Sequence, residues 1–227
     1  MQTLVERLNQ VRGDIDAAER KYARVPGSVQ LLAASKAQPV SAMRTLAGLG
    51  VRAFGENYVK EGLEKQHALR GNDLEWHFIG HVQSNKTRDI ASRFAWVHSV
   101  DRIKIAHRLA AQRPPELPPL NVCIEVNIDR QSGKSGVDID DLGALAVAMA
   151  ALKGLRLRGL MAIPMPRAEL TEQRQAFAQL RRARDRLNRA GLQLDTLSMG
   201  MSADLEAAIA EGATIVRIGT ALFGPRQ

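Results

Sequence analysis

The stretch VQLLAASKAQPV, from Val29 to Val40, is an apolar run that ends in a lysine and a turn. A short run of this composition, bounded by turn signals, predicts a buried β-strand. Side chains alternate in direction along a strand, so Leu32, Ala34 and Lys36 share one face. A lone ammonium group at the end of a buried strand requires an explanation, and the other strand ends supply one.

Seven further apolar runs follow, and amphipathic helical patterns lie between them. In chain order the strand candidates are VQLLAASK, VRAFGEN, WHFIGH, WVHSVD, LNVCIEVNI, LRLRGLMAIP, LDTLSMG and TIVRIGTALFG. Alternation of strands and helices implies parallel strands joined by helical crossovers. Eight such strands predict an α/β fold of the (β/α)8 TIM-barrel type, with one extra N-terminal helix and a single domain over residues 1–227.

A doubly wound open sheet is the alternative architecture. Such sheets usually have fewer strands and often carry a glycine-rich phosphate loop after the first one. The segment AASKAQPV has no glycine at that place. The barrel is therefore the favoured fold.

The composition describes a basic chain that is poor in cysteine. Of the 227 residues 45% are hydrophobic, and the formal net charge is +8. The sequence has no run of about eighteen apolar residues, so we expect no membrane span. The charged N-terminal segment is not typical of a signal peptide. Cys123 is the only cysteine, which excludes an internal disulfide and a cysteine-cluster metal site and fits a cytoplasmic location.

Much of the positive charge lies in an arginine-rich segment, residues 167–191. Its helical spacing of apolar and polar positions predicts a solvated outer helix. Nucleic acid is the alternative partner for such a segment, since a basic chain attracts anions. With 4% aromatic residues and no RNA-binding motif, nucleic-acid binding is the less favoured interpretation.

The first and last strands of a closed barrel are neighbours, and barrel active sites lie at the C-terminal ends of the strands. In the last strand, Ile215, Arg217 and Gly219 share a face. If both faces point inward, Lys36 and Arg217 lie close together at the mouth. Two cations there would repel each other unless an anionic or electron-rich ligand lies between them. The spacing therefore predicts an anionic ligand.

The ends of the last two strands carry groups that suit a phosphate. LSMGMSADLEAAIAEG leads through Ser198, Gly200 and Ser202 into a helix, and RIGTALFG offers Gly219 and Thr220. Glycine permits close backbone approach, hydroxyls donate hydrogen bonds, and barrels often bind phosphate at these two loops. The alternative is that Ser202 only caps a helix and the glycines only form turns.

A lysine beside a phosphate site suggests Schiff-base chemistry. Pyridoxal 5′-phosphate would use both features, and so would a class I aldolase acting on a sugar phosphate. The third interpretation of Lys36 is a surface lysine that extends its ammonium group into solvent.

Motifs that cover nearly the whole chain narrow this choice. In order they are LLAASK, FGENYVKEG, WHFIGHVQSNK, VHSVD, VNIDRQSGKSG, GLMAIP and LSMGMSADLEAAIAEGATIVRIGTALFG. Together they resemble the pyridoxal phosphate homeostasis proteins, a family similar to the N-terminal barrel domain of alanine racemase. The resemblance implies a protein that holds pyridoxal phosphate as an aldimine on a lysine and maintains its intracellular level without catalytic turnover of its own.

The resemblance also implies which residues bind the cofactor. Lys36 would form the aldimine, Asn57 would lie beside the ring, and Arg217 would face the pyridine nitrogen. A guanidinium group only donates hydrogen bonds, so that nitrogen would stay unprotonated and the ring would be a weaker electron sink. The phosphate would be held by Ser202, Gly219 and Thr220.

A pyridoxal-phosphate-dependent amino-acid racemase, or a related enzyme, is the alternative function. The chain stops at Gln227, just after the eighth strand. We therefore expect no counterpart of the racemases' C-terminal β-domain, which brings a catalytic tyrosine across their dimer, and we expect a monomer. The expected partners are pyridoxal phosphate and, as its recipients, pyridoxal-phosphate-dependent apo-enzymes, with no membrane.

Three other groups were candidates for chemistry. His77 and His81 are four residues apart, but their stretch predicts a strand running into a loop, so we expect structural hydrogen bonds and no metal. Glu125 lies in a buried strand and is expected to pair with a cation, for example Lys36. Lys134, in GKSG, is interpreted as a lysine of a flexible loop.

Overall fold

The eight apolar segments form parallel strands, and because the first pairs with the last, the sheet closes into a barrel. In the computed structural model, which describes residues 2–224, the strands are β1 Gln30–Ala34, β2 Ala53–Glu56, β3 Glu75–Phe78, β4 Trp96–Val100, β5 Leu120–Glu125, β6 Leu155–Met161, β7 Thr196–Ser198 and β8 Ile215–Ile218. Each predicted strand segment overlaps one of these strands, and the α/β barrel is confirmed. Closure leaves the sheet without an exposed edge.

Helices alternate with the strands and surround the barrel. Along residues 2–224 they are α1 Leu4–Lys21, α2 Val40–Gly48, α3 Val59–Ala68, α4 Thr87–Arg93, α5 Ile103–Gln112, α6 Leu142–Ala150, α7 Leu170–Arg189, α8 Leu205–Ala210 and α9 Thr220–Phe223. A 3-10 turn, Ser84–Lys86, leads into α4. Because α1 precedes β1, it is the predicted extra N-terminal helix.

α1 begins at a capping box and ends against the last helices. The Glu6 amide donates to Thr3 Oγ1 at 3.2 Å, and the Thr3 amide donates to Glu6 Oε2 at 2.7 Å. Lys21 pairs with Glu206 of α8 at 2.7 Å. The buried stripe of α1 contains Leu8, Val11, Ile15 and Ala18. The helix is thereby fixed beside the elements that follow β7.

Two apolar layers stabilise the barrel. Outward-facing strand residues such as Ala33, Phe54 and Phe78 pack under the helices. The inward-facing residues form a smaller cluster of Leu32, Ala53, Trp96, Cys123, Met161 and Ile215. The strands also bury polar side chains, among them His77, His98, Ser198 and Arg217. Buried polar groups are costly unless they are hydrogen-bonded, so these side chains require partners inside the barrel.

The arginine-rich segment forms α7, as predicted, and packs through Phe177, Leu180 and Leu187. Arg174 and Arg181 both bind the Glu211 carboxylate, at 2.9 Å and 3.0 Å. These ion pairs neutralise part of the charge that would attract a nucleic acid. The side of α7 that carries Arg174 and Arg181 is therefore paired with Glu211 at the end of α8.

The predicted eighth strand is too long. β8 ends at Ile218, and Thr220–Phe223 form α9. The apolar residues of this helical turn resemble the end of a strand in sequence, since short apolar runs do not separate the two structures. Gly219 and Thr220 therefore lie in the turn that follows the strand.

Within residues 2–224, no helix has the length and apolar character that crossing a bilayer requires. The same residues contain no group of three or more His, Cys, Asp or Glu side chains placed to hold a metal ion. Cys123 is buried, and burial raises the pKa of its thiol to about 12.

A glycine allows β6 to lie against β7. Gly159 pairs with Cys123 of β5 just after a register shift, and with Thr196 of β7 on the other side. A Cβ atom at Gly159 would come 1.8 Å from the Thr196 carbonyl oxygen. No side chain fits this position unless a strand moves.

We expect Gly159→Ala to lower the free energy of unfolding by about 2–3 kcal/mol, because the added methyl group displaces β6 from β7. Gly143→Ala on α6 is the control, since a Cβ there meets nothing within 4 Å. This control should raise stability by up to about 1 kcal/mol. Urea unfolding measures both, and an unchanged midpoint for Gly159→Ala would show that the contact is not tight.

Candidate functional site

The C-terminal ends of β1 and β8 meet at the mouth of the barrel. Leu32 pairs with Arg217 in the β1–β8 ladder, and Leu32 and Ile215 both lie in the interior cluster. The inward faces predicted for these strands are therefore those that the barrel uses. Lys36 follows β1 by two residues and is partly exposed, whereas Arg217 is 5% exposed.

A buried ionic cluster fixes the residue that precedes Lys36. Lys65 of α3 donates to the Ser35 carbonyl oxygen at 2.6 Å and to Glu56 Oε1 at 2.9 Å. It also donates to Glu61 Oε1 at 2.6 Å, and the Ser35 hydroxyl donates to Glu56 Oε1 at 2.5 Å. Burial raises the pKa of Glu56, and the hydrogen bonds from Ser35 and Lys65 oppose this rise.

The same helix fixes the residue that follows Lys36. The Ala37 amide donates to Glu61 Oε1 at 2.6 Å, and Ala37 has a positive φ of 57°. That conformation costs a non-glycine residue about 1–2 kcal/mol, so it persists only where contacts impose it. With Ser35 and Ala37 both anchored to α3, the backbone of Lys36 has a defined place at the rim.

Asn57 lies beside Lys36. Ala34 pairs with Gly55 in the β1–β2 ladder, and Lys36 and Asn57 each lie two residues beyond that pair. Asn57 Oδ1 is buried and has no hydrogen-bond partner among residues 2–224. Gly80 packs against the backbone of Asn57, where a Cβ atom would come 2.1 Å from the carbonyl oxygen. Asn57 is thus held firmly, with a side-chain oxygen that a ligand would satisfy.

Arg217 is a buried cation below the mouth. Its Nη1 donates to the Ser198 carbonyl at 2.6 Å and hydroxyl at 2.7 Å, and its Nη2 donates to the Ala162 carbonyl at 3.0 Å. Nε and the second hydrogen of Nη2 bond to nothing in the described part of the chain. Burial lowers the pKa of Arg217 to about 10, so the group remains protonated at neutral pH. It therefore retains N–H donors for a ligand.

The loops after β7 and β8 meet through Ser202. Its hydroxyl accepts a hydrogen bond from the Ala221 amide at 3.2 Å. The N-cap of α8 is Asp204, so Ser202 does not cap the helix that follows it; it accepts instead from an amide in the first turn of α9. Gly219 and Thr220 adjoin this contact, and the Ser202 and Thr220 side chains are exposed. These hydroxyls and backbone amides suit a phosphate chemically.

Glu125 ends β5 and is 8% exposed. Burial, and after it the nearby Asp101, raises the pKa of Glu125 to about 7, while Arg217 and Lys134 act in the opposite direction. The expected pair between Glu125 and Lys36 does not form, since no such contact within 4.0 Å occurs in residues 2–224. Glu125 is a buried carboxyl group that titrates near neutrality.

Two of the other sequence expectations are now decided. His77 is buried in β3 and bonds to His98 and Glu75, which confirms a structural role. His81 is exposed and lies near Ser135. Lys134 donates to the Ile163 carbonyl, so it is anchored rather than free in its loop.

The predicted binding residues belong to four consecutive strands, β7, β8, β1 and β2, or to the loops that follow them. Arg217 lies within β8, and the residues of the loops are Lys36, Asn57, Ser202, Gly219 and Thr220. The Lys65 cluster was missed. Its signal was present, because Val59, Gly62 and Lys65 recur every three residues on the buried face of α3. A lysine in such a stripe indicates a buried ionic partner.

The barrel and its site place the chain in a known class. The chain belongs to the family described as alanine racemase, N-terminal domain, whose model matches residues 9–227. The alanine racemase of Clostridium difficile 630 has a TM-score of 0.78 at 14% identity, covering 96% of this chain and 56% of that chain. That likeness shows a shared fold.

More similar relatives have a more particular name. The pyridoxal phosphate homeostasis protein of Pseudomonas aeruginosa is 57% identical over 227 residues, covering 100% of this chain and 97% of its own. PipY of Synechococcus elongatus PCC7942, solved with pyridoxal phosphate bound, is 38% identical with a TM-score of 0.86 and covers 98% of this chain and 100% of that chain. The resemblance inferred from the motifs is confirmed.

We expect Lys65→Met to lower the free energy of unfolding by about 3–5 kcal/mol, because the buried Glu56 carboxylate loses its cation. Lys60→Met, at an exposed position of the same helix, should change it by less than about 0.5 kcal/mol. Urea unfolding of both variants gives the comparison. Equal stability of the two would mean that the cluster does not hold the Lys36 loop.

The raised pKa of Glu125 predicts a pH-dependent stability. In the folded state the carboxyl group keeps its proton up to about pH 7, whereas the unfolded chain releases it near 4.5. Its stabilising contribution is therefore full below about 4.5 and is lost as the pH rises through about 7. Unfolding of wild-type and Glu125→Gln proteins at about pH 5 and about pH 8 measures it. The variant should lose less stability between the two values, and an identical loss would contradict the assignment.

Proposed function

We propose that this chain binds pyridoxal phosphate through Lys36 and serves the intracellular homeostasis of that cofactor, without turnover of its own. The name of the 57%-identical relative and the pyridoxal phosphate bound to PipY support the proposal. The observation that carries it is the β1–β8 junction. There Lys36, in its anchored loop, adjoins the buried, protonated Arg217. The loops after β7 and β8 lie beside them and offer hydroxyls and backbone amides that can donate hydrogen bonds to a phosphate.

Each residue has a part in this proposal. The Lys36 amine condenses with the aldehyde to form a Schiff base and releases one water, a reaction that hydrolysis reverses. Asn57 lies beside the ring, where its buried Oδ1 gains a partner. Arg217 directs its unused N–H groups at the ring nitrogen. The phosphate is held by Ser202, Gly219 and Thr220.

The charge of Arg217 disfavours reactions that need a strongly stabilised carbanion. Bound pyridoxal phosphate supplies an electron sink whose strength depends on protonation of the ring nitrogen. Because Arg217 stays protonated at neutral pH and only donates, it keeps that nitrogen unprotonated. The sink is then weak, which suits reversible storage.

Several expectations stay predictions. They are that residues 1–227 act as one pyridoxal-phosphate-binding unit, that the protein is a cytoplasmic monomer, and that its recipients are pyridoxal-phosphate-dependent apo-enzymes. A reversible Schiff base at an accessible mouth is compatible with delivery to such enzymes.

We expect purified protein mixed with pyridoxal phosphate to show a visible Schiff-base absorbance band that borohydride abolishes, with the reduced adduct on Lys36 by peptide mapping. Lys36→Ala should lose the band, because no other amine lies in the anchored loop. Lys60→Ala, which removes an exposed lysine, should retain it. A full band in Lys36→Ala, or an adduct mapped to another lysine, would contradict the assignment.

Solvent deuterium exchange separates the homeostasis protein from the alternative racemase. With the cofactor bound, the protein should not catalyse the exchange of solvent deuterium into the α-position of added amino acids at a steady rate. Sustained incorporation for any member of a broad amino-acid panel would establish an enzyme.

A further inference from the structure

A continuous line of polar side chains runs through the barrel below Arg217. The Ser198 Oγ accepts from Arg217 Nη1 at 2.7 Å and lies 2.7 Å from His98 Nδ1. His98 Nε2 lies 2.8 Å from His77 Nδ1, and His77 Nε2 lies 2.8 Å from Glu75 Oε1. The first four side chains are buried, whereas the Glu75 side chain is 40% exposed at the start of β3. The line therefore connects the mouth of the barrel to its opposite end.

The two ends of the line fix the direction of every hydrogen bond between them. Arg217 can only donate, and the Glu75 carboxylate can only accept. With neutral imidazoles, His77 carries its hydrogen on Nε2, so its Nδ1 accepts from His98 Nε2–H. His98 Nδ1 then accepts from the Ser198 hydroxyl, whose oxygen accepts from Arg217. All the donors point from Arg217 toward Glu75.

The surroundings favour neutral imidazoles. Burial lowers the pKa of His77, and burial together with the nearby His77 and Arg217 lowers the pKa of His98 well below its usual value. Trp96 stacks on His77, with ring centroids 5.5 Å apart and 7° between the planes. The hydrogen bond from His77 lowers the pKa of Glu75 to about 2, so this carboxylate stays charged.

Within the described residues Arg217 itself bonds only to neutral oxygens, those of Ser198 and Ala162. Burial lowers its pKa, and the carboxylates of Asp204 and Glu125 raise it from a longer range. Among residues 2–224 it makes no ion pair within 4.0 Å. A buried guanidinium group with only neutral acceptors is costly. Since hydrogen bonds in a chain polarise one another, the Glu75 carboxylate strengthens the Ser198 hydroxyl as an acceptor through the two imidazoles.

We propose that His98 and His77 are positioning residues for Arg217. They turn the Ser198 hydroxyl so that its lone pairs face Arg217, and they couple the buried guanidinium group to the Glu75 carboxylate. The unused N–H groups of Arg217 are thereby held toward the mouth. The inference rests on the proposed function in that these groups serve the ring nitrogen of pyridoxal phosphate.

Nitrogen-15 NMR of the ligand-free wild-type protein at neutral pH tests the proposed direction of these hydrogen bonds without any cofactor. Ring-nitrogen shifts distinguish the two neutral tautomers and the imidazolium. We expect His77 and His98 to be neutral with the hydrogen on Nε2, and the exposed His67 and His107 serve as references. An Nδ1–H tautomer or an imidazolium at His98 would overturn the proposal.

Ser198→Ala cuts the line between Arg217 and His98 while keeping the backbone carbonyl that Arg217 also binds. We expect the His98 Nδ1 shift to change and the affinity for pyridoxal phosphate, from absorbance titration, to fall about tenfold, as for a lost hydrogen bond to a charged group. His107→Gln, at an exposed position of α5, should bind as the wild type does. Unchanged affinity of Ser198→Ala would overturn the proposal.

The two proposals fail in different ways. If wild-type protein gave no borohydride-trapped lysine, the proposed function would fail. The histidine tautomers would still decide the direction of the hydrogen bonds between Arg217 and Glu75. If the lysine were trapped but the tautomers were reversed, only the positioning role would fail. Should Ser198→Ala not fold, the wild-type spectrum carries the decision alone.

Discussion

The pairing of β1 with β8 is the constraint on which the rest of the structure depends. It closes the sheet with Leu32 beside Arg217, so the strand that leads to Lys36 adjoins the strand that carries the buried cation. An open sheet with the strands in the same order, β1 to β8, would leave these two at opposite edges. Closure also encloses a shared interior, and that interior lets polar side chains from distant strands reach each other away from water.

Two buried polar systems then define the rim from below and from the side. The Lys65 cluster anchors the backbone on both sides of Lys36, through Ser35 and Ala37. The line of hydrogen-bonded side chains that connects Glu75 with Ser198 supports Arg217 from inside the barrel. Both consist of groups whose burial is costly unless every partner is present. Such an arrangement fixes hydrogen-bond donors and acceptors in place. This suits a site for one small ligand that carries both an aldehyde and a phosphate.

Much of this fold could be predicted from the sequence. Short apolar runs separated by amphipathic segments identified the strands, and the alternation along β1 and β8 identified their inward faces. The end of β8 was wrong because an apolar turn of helix, Thr220–Phe223, looks like a continuing strand. The positions of Lys36, Asn57 and Ser202 at strand ends followed from the topology, whereas their assignment to a cofactor came from the motifs.

The contacts between elements could not be predicted in the same way. Lys65 bonds to Ser35 across 30 residues, and His98 to Ser198 across 100. Sequence periodicity describes which face of an element is buried, and it carries no information about which side chains meet across the interior. His77 was expected to make structural hydrogen bonds, but its partners only became visible with the register of β3 and β4.

The most direct measurement is a crystal structure of the protein grown with pyridoxal phosphate. Our account predicts density continuous from Lys36 Nζ into the ligand, the ring nitrogen within hydrogen-bond distance of Arg217, and the phosphate against Ser202, Gly219 and Thr220. A ligand attached to a different lysine, or a phosphate bound away from the β7 and β8 loops, would contradict it.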